Sequence, residues 1–223
     1  MASVIEVATK DCTALSDAEL AEMADLCAGG STGYEAGFLS KERDAWVLVT
    51  QARAGAELAG FAFSTLERIG GTPCLLLGVA AFAEGAPGEA AMRSVMHDLY
   101  RRAVLAFPDE DVLVGTRLTR AAAFDAYAGL SEVVPRPGHK PTGEERAWGR
   151  RLAKRFGAEG RLDDRAFRIT GDGNVVGTFD YGPASAPDEL GALFAGLEPA
   201  RRDTLVAFGW AMAEDLAAGS LPA

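Results

Sequence analysis

The chain is poor in the residues that metal, thiol and nucleophile chemistry require. Among 223 residues there are two histidines, His97 and His139, and three cysteines, Cys12, Cys27 and Cys74, with no C-x-x-C. An odd, scattered set of thiols argues for reduced cysteines and against a disulfide framework. The histidines are too far apart for zinc spacing, so no metal is expected. G-x-S-x-G, P-loop and G-x-G-x-x-G patterns are missing, which leaves hydrolase, NTPase and Rossmann readings without support. No apolar run approaches the ~20 residues that cross a bilayer. The opening MASVIEVATKDC lacks the basic start and apolar stretch of a signal peptide, so a cytoplasmic protein with no membrane partner is expected. Positive charge is also in deficit, with 22 Lys and Arg against 32 Asp and Glu and a net charge of −10. That argues against general nucleic-acid binding, whose phosphate contacts need Lys and Arg. Residues 136–168 are the exception, with ten basic residues against five acidic. Such a segment could face an anionic ligand or an acidic partner subunit, or could simply be a solvated helix face.

Apolar residues make up 48% of the chain and charged residues 24%, the composition of a globular protein with one large domain or a domain and an appendage. The most informative stretch is 74–107. An apolar run, CLLLGVAAF, ends in a short loop, AEGAPGE, that feeds a long amphipathic segment. Strand, Gly-containing turn and helix is the arrangement that aims backbone N–H groups at a phosphate. Met92, Val95, Met96, Leu99, Ala103 and Ala106 recur every three or four residues, which predicts a helix over 89–106 closed by Pro108. Upstream, residues 5–8 read as a strand. Ser16 and Glu19 form a capping box with Leu15 and Leu20 as its staple, and Gly29 and Gly30 end that helix. A second helix is expected over 35–43. Three meandering strands follow, over 46–50, 58–65 and 72–82, the last apolar on both faces as a central strand should be.

After Pro108 the pattern gives a strand over 111–118, a helix over 121–130 and the start of a strand at Val133. Residues 144–156 form a basic amphipathic helix with Trp148, Leu152 and Phe156 on one stripe. Residues 166–170 and 175–181, either side of a Gly-Asp-Gly turn, are expected to pair as a hairpin. Pro183, Ala186 and Pro187 mark a linker, and two helices follow, over 188–197 and 199–218, the second opened by Pro199. The chain thus divides into a domain over 1–182, with a basic helical insertion at about 137–165, and a C-terminal helical extension over 183–223.

The element order resembles the GNAT superfamily of acyl-CoA-dependent N-acyltransferases over roughly residues 5–181. The resemblance implies an α/β (α+β) fold with a mixed, mostly antiparallel central sheet flanked by helices. It implies that the strand carrying Leu77, Gly78 and Val79 splays from the next one. The gap would take the pantetheine arm of coenzyme A, its amides pairing with the strand edge. The loop at Gly85, Ala86 and Gly88 would present N–H groups to the pyrophosphate. The family's loop reads Arg or Gln, two residues, Gly, any residue, Gly or Ala. Here Glu84 stands in the Arg position, Pro87 and Glu89 occupy the later glycine positions, and Gly88 is out of step. Pro87 has no N–H to donate. A like charge a few ångströms from a pyrophosphate costs on the order of 1–4 kcal/mol, against roughly 0.3–1 kcal/mol from an exposed helix dipole.

The stretch from Ala123 to Leu130 resembles the family segment in which an Ala is followed four residues later by Tyr and then by Leu-Gly-Phe. The family's Tyr protonates the departing thiolate, a task that suits a neutral phenol, so the resemblance makes Tyr127 the candidate acid. Ser131 and Glu132 replace the Gly-Phe. Glu67, at the end of the second meander strand, is the candidate general base, and Tyr34 and Glu35 lie where the family forms its acceptor pocket. Cys74 is expected in the core, His97 on a helix surface, and His139 and Lys140 in a turn that is either an anion site or a plain loop. Two readings follow. In one, the chain moves an acyl group from acetyl-CoA or another acyl-CoA to a small-molecule or peptide amine. In the other, a GNAT-like domain has lost coenzyme A chemistry and serves as a binding or assembly module, such as a homodimer. Leu205, Phe208, Met212 and Leu216 would then form an apolar stripe on the C-terminal helices.

Overall fold

The computed structural model describes residues 4–28, 32–182 and 188–221. Strand β1 (Ile5–Asp11) leads to α1 (Asp17–Ala28) and α2 (Ala36–Ala45). The expected capping box opens α1: Ser16 Oγ accepts from the Glu19 N–H at 3.3 Å, and Glu19 Oε2 accepts from the Ser16 N–H at 2.9 Å. The meander follows as β2 (Leu48–Ala54), β3 (Glu57–Ile69) and β4 (Thr72–Phe82). Helix α3 (Ala86–Ala106) buries Met92, Val95, Met96, Leu99 and Ala103 of the stripe its periodicity predicts, while Ala106 at its end is exposed. Every residue of β5 (Val112–Leu118) is buried. Next come β6 (Ser131–Val134), α4 (Gly143–Arg155), β7 (Leu162–Asp163), β8 (Arg168–Ile169), α5 (Asp188–Phe194), β9 (Thr204–Ala211) and α6 (Ala213–Ala218). The stretch expected as a helix after β5 is instead a 3-10 helix over Ala121–Tyr127.

The strands form one sheet in the order β1-β2-β3-β4-β5-β9-β8-β7, and β6 also pairs with β9. Among the described strands, β4 and β5 run parallel and the other pairings are antiparallel. The fold class is therefore the expected one: a mixed, mostly antiparallel sheet flanked by helices. The basic insertion is seated by α4, whose Trp148 and Leu152 are buried. Trp148 meets Trp210 of β9 edge to face at 6.0 Å. No described helix is long and apolar enough to cross a membrane.

Further expectations are corrected. Residues 199–218 are not one helix, since only Ala213–Ala218 of that range is α-helical, and the C-terminal part is not an all-helical extension. A 3-10 turn at Pro199–Arg201 leads into β9, which pairs with β5 from Val112↔Ala211 to Leu118↔Leu205. Leu205, Val206, Ala207 and Phe208 are consecutive and all buried, which a two-faced central strand permits and a one-faced surface helix does not. The apolar stripe expected to supply an assembly face therefore starts inside the sheet. The hairpin over 166–170 and 175–181 is also not formed: β8 pairs with β7 and β9, and residues 175–181 go elsewhere. The helix stop at Gly29 and Gly30 and the linker at Pro183, Ala186 and Pro187 lie outside the described residues.

The placement of β9 is open to measurement by urea denaturation. Phe208→Ala should lower the unfolding free energy by about 3–5 kcal/mol, as truncation of a fully buried Phe does. A loss below about 1 kcal/mol would instead mean an exposed position.

Candidate functional site

The site expected from the sequence is the gap between β4 and β5. The two strands are in register at only three pairs, Cys74↔Leu113, Leu75↔Val114 and Leu76↔Gly115. At the start of the divergence Thr116 Oγ1 donates to the Leu77 carbonyl at 2.8 Å. Beyond it the strands separate, and the gap holds another part of the same chain. The Ala80 N–H donates to the Thr178 carbonyl at 3.0 Å, and the Asp180 N–H donates to the Ala80 carbonyl at 2.9 Å. The Phe179 N–H reaches the other wall, donating to the Arg117 carbonyl at 2.9 Å. Residues 176–181 thus form a wedge that runs parallel to β4 and bonds to both strands.

Several side chains fix the wedge. Phe179 is fully buried, with its ring centroid 5.4 Å from that of Phe82. Tyr181 meets Phe82 edge to face at 5.9 Å. A Cβ at Gly177 would lie 2.6 Å from Val79 Cγ2, so this close approach to β4 needs glycine. Tyr34, from the loop before α2, accepts the Thr178 N–H at 2.9 Å, and its hydroxyl lies 2.8 Å from Thr178 Oγ1. Arg120 donates to the Gly182 carbonyl at 3.0 Å, and its Nε lies 3.2 Å from Asp180 Oδ1. Burial pushes the Asp180 carboxyl above its ordinary pKa, and the Arg120 charge opposes that shift.

The structure brings some of the predicted residues together and disperses others. Leu77, Gly78 and Val79 lie on β4 where the splay begins. The Trp46 indole packs on Gly78, where a Cβ would lie 2.0 Å from it. Gly85, with φ +73°, ends the loop, Ala86 opens α3, and Gly88 packs against the Ala83 carbonyl. Glu84 is exposed and Glu89 is ion-paired with Arg93 one turn along α3. Tyr127 is buried, and its hydroxyl donates to the Ala207 carbonyl of β9 at 2.9 Å. Burial pushes its phenol well above the ordinary range. Glu67 pairs across the sheet with Cys74, at the opposite end of β4 from the Gly85 loop. Its Oε1 accepts from Arg155 Nε at 2.8 Å. Tyr34, expected beside an acceptor pocket, holds the wedge. Cys74 is buried, and burial pushes its thiol up to about 11, so it is unreactive.

The residues missed from the sequence are Gly177, Thr178, Phe179 and Asp180. Their one signal in the sequence is a β-like run over 175–181, which reads as one arm of a hairpin. Beside the wedge lies a cavity of about 310 Å³, lined in part by Tyr34, Thr178, Arg120, Arg202, Asp203 and Thr204. The Asp203 carboxylate accepts the Gly171 N–H at 2.8 Å and the Glu198 N–H at 3.1 Å, fixing the loops at its rim. The Thr204 hydroxyl is buried without a hydrogen-bond partner among the described residues. The described residues contain no cluster of His, Cys, Asp and Glu able to hold a metal.

Tyr34→Phe removes the acceptor of a buried N–H and should cost about 1–3 kcal/mol. Hydrogen exchange read by mass spectrometry should show the loss locally, with faster exchange in residues 176–181 and none in the middle of α3. Unchanged protection of 176–181 would mean that Tyr34 does not hold the wedge.

No family profile and no curated protein matches the chain. Among solved structures, it is similar to aminoglycoside 6'-acetyltransferase type Ii, at 12% identity and a TM-score of 0.42, over 59% of this chain and 87% of that one. It is similar to the ribosomal-protein-alanine N-acetyltransferase of Brucella melitensis biovar Abortus 2308, at 15% identity and a TM-score of 0.38, over 50% and 79%. A GNAT-family acetyltransferase from Streptococcus pneumoniae matches at 13% identity and a TM-score of 0.37, over 60% and 90%. None of these similarities is close enough to assign a role to any residue. The chain's own element order and its parallel, splayed β4–β5 pair give it a GNAT-like fold.

Proposed function

We propose that this chain is a GNAT-like binding domain that has given up coenzyme A, with its own residues 176–181 in the slot a cofactor arm would take. The observation that carries this reading is the double bonding of the wedge. Ala80 donates to Thr178 and accepts from Asp180, while Phe179 donates to Arg117. These are the strand-edge contacts that the GNAT resemblance gives to the pantetheine amides, so the residues present do not fit that group without expelling the wedge.

Magnitudes favour the wedge. Expelling it exposes a buried Phe, at about 1.5–3 kcal/mol, and breaks three backbone hydrogen bonds worth about 0.5–1.5 kcal/mol each. A competing ligand would have to replace those bonds and fill the space that Phe179 leaves. The loop offers little in return. Glu84 and Glu89 bring negative charge where a pyrophosphate needs positive, and Pro87 has no N–H. The roles implied for acid and base are also unsupported, since Tyr127 is committed to the Ala207 carbonyl and Glu67 to Arg155. Recognition then falls to the cavity of about 310 Å³ beside the wedge, where Val176, Leu197 and Pro199 line the space with Arg120, Arg202 and Asp203, a volume at the lower end of small-molecule sites.

Titration with acetyl-CoA, followed by hydrogen exchange, tests the reading at the slot itself. Protection of residues 176–181 should be unchanged at millimolar ligand, and no acyl transfer to a panel of amines should appear. Saturable binding that deprotects residues 176–181 would show the wedge leaving for the cofactor and would restore the acyltransferase reading.

A further inference from the structure

A second site lies on the basic insertion, away from the wedge and independent of the reading above. A hollow of about 640 Å³ opens at the start of α4, lined by Gly138, His139, Lys140, Pro141, Arg146 and Arg165. Its three long cationic side chains come from three places: the turn before α4, the first turn of α4, and the turn between β7 and β8. No carboxylate lines it.

Most of the other basic residues of this segment have partners. Arg136 and His139 bond Glu145, Arg150 pairs with Asp164, Arg155 with Glu67, and Arg161 with Asp172. Arg151 lies over the Trp148 ring. Among the described residues Lys140 and Arg165 make no ion pair, and Arg146 makes only a 3.3 Å bond from Nε to the Thr142 carbonyl. Of the acidic groups near the hollow, Glu144 is exposed on the first turn of α4, and the others have partners. Glu145 also accepts the Thr142 N–H at 2.6 Å, and Asp163 Oδ1 accepts the N–H groups of Arg165 and Ala166. The acidic remainder of the chain does not cancel this cluster, because at physiological salt charge is screened over about 8 Å.

We infer that this hollow binds a diphosphate group. Lys140, Arg146 and Arg165 bring three positive charges to this lining, so an anionic occupant is the one their chemistry favours. A single carboxylate would match one cation and leave two facing each other. A diphosphate carries two to three negative charges on a compact frame. Its oxygens suit the paired N–H groups of Arg146 and Arg165, with Lys140 as a point charge.

Calorimetry on the full chain at ~0.15 M salt, with inorganic pyrophosphate as the probe, tests the site. Saturable one-to-one binding is expected, at least about tenfold tighter than orthophosphate. Lys140→Glu and Arg165→Glu, both at exposed positions, should each weaken it by about tenfold or more, with circular dichroism confirming the fold. Lys154→Glu, an exposed cation of α4 outside the hollow, should leave it unchanged. ADP binding more tightly than pyrophosphate identifies a nucleotide as the source of the group, and equal binding identifies the diphosphate alone; both support the site. Absence of saturable binding, orthophosphate binding as tightly as pyrophosphate, or equal weakening by Lys154→Glu would overturn it.

Discussion

The centre of this molecule depends on how the divergence of β4 and β5 is made good. A parallel pair with three registered rungs leaves the rest of both strands with backbone groups facing a gap. These groups are inside the protein, where each one left unbonded costs about 1–3 kcal/mol. The groups facing the gap must therefore bond to water or to an occupant with N–H and C=O groups of its own. Residues 176–181 meet that need: they satisfy both polar groups of Ala80 and the carbonyl of Arg117, while Thr116 takes the carbonyl of Leu77.

The wedge is pinned at both ends, which ties its position to the rest of the fold. Before it, the Gly171 N–H bonds Asp203 and the Gly173 N–H bonds the Arg201 carbonyl, both in the approach to β9. After it, Arg120 holds Gly182. Strand β9 then pairs along β5, the strand whose Arg117 carbonyl the wedge caps. Tyr34 adds a clamp from the loop before α2, 144 residues away in sequence. Strand β9 is accordingly built into the central sheet, and the cavity beside the wedge has walls from the N-terminal, central and C-terminal parts of the chain.

The sequence was legible where one face of an element is buried and the other is not. The Met92-to-Ala103 stripe gave α3, and alternation with turn residues gave the meander. It misled where both faces are buried. Leu205, Phe208, Met212 and Leu216 fit a helical period, and Pro199 is a plausible helix opener. Yet Thr204–Ala211 is almost continuously buried, and periodicity cannot separate such a run from a helix. The wedge escaped for a different reason. Residues 175–181 look like one arm of a hairpin, and local pattern cannot tell pairing with residues 166–170 from pairing with Ala80, about a hundred positions earlier. Tyr127, the candidate acid, is buried, and its hydrogen bond to Ala207 depends on β9, whose apolar period fits a helix as well as a strand.

The start of α3 looks like a damaged phosphate site only if a phosphate is assumed. Without one, its residues make a sound helix beginning. Gly85 takes the positive φ that turns the chain, Pro87 sits in the first turn where a missing N–H costs nothing, and Glu89 supplies acid to that turn. A carboxylate there interacts favourably with the helix dipole by roughly 0.3–1 kcal/mol, the same end of the helix that would otherwise attract an anion. Glu89 also pairs with Arg93, which keeps that carboxylate on its own helix. The residues that oppose a pyrophosphate are thus the ones that stabilise a helix with no ligand at its N-terminus. This agrees with a neighbouring gap that the chain fills for itself.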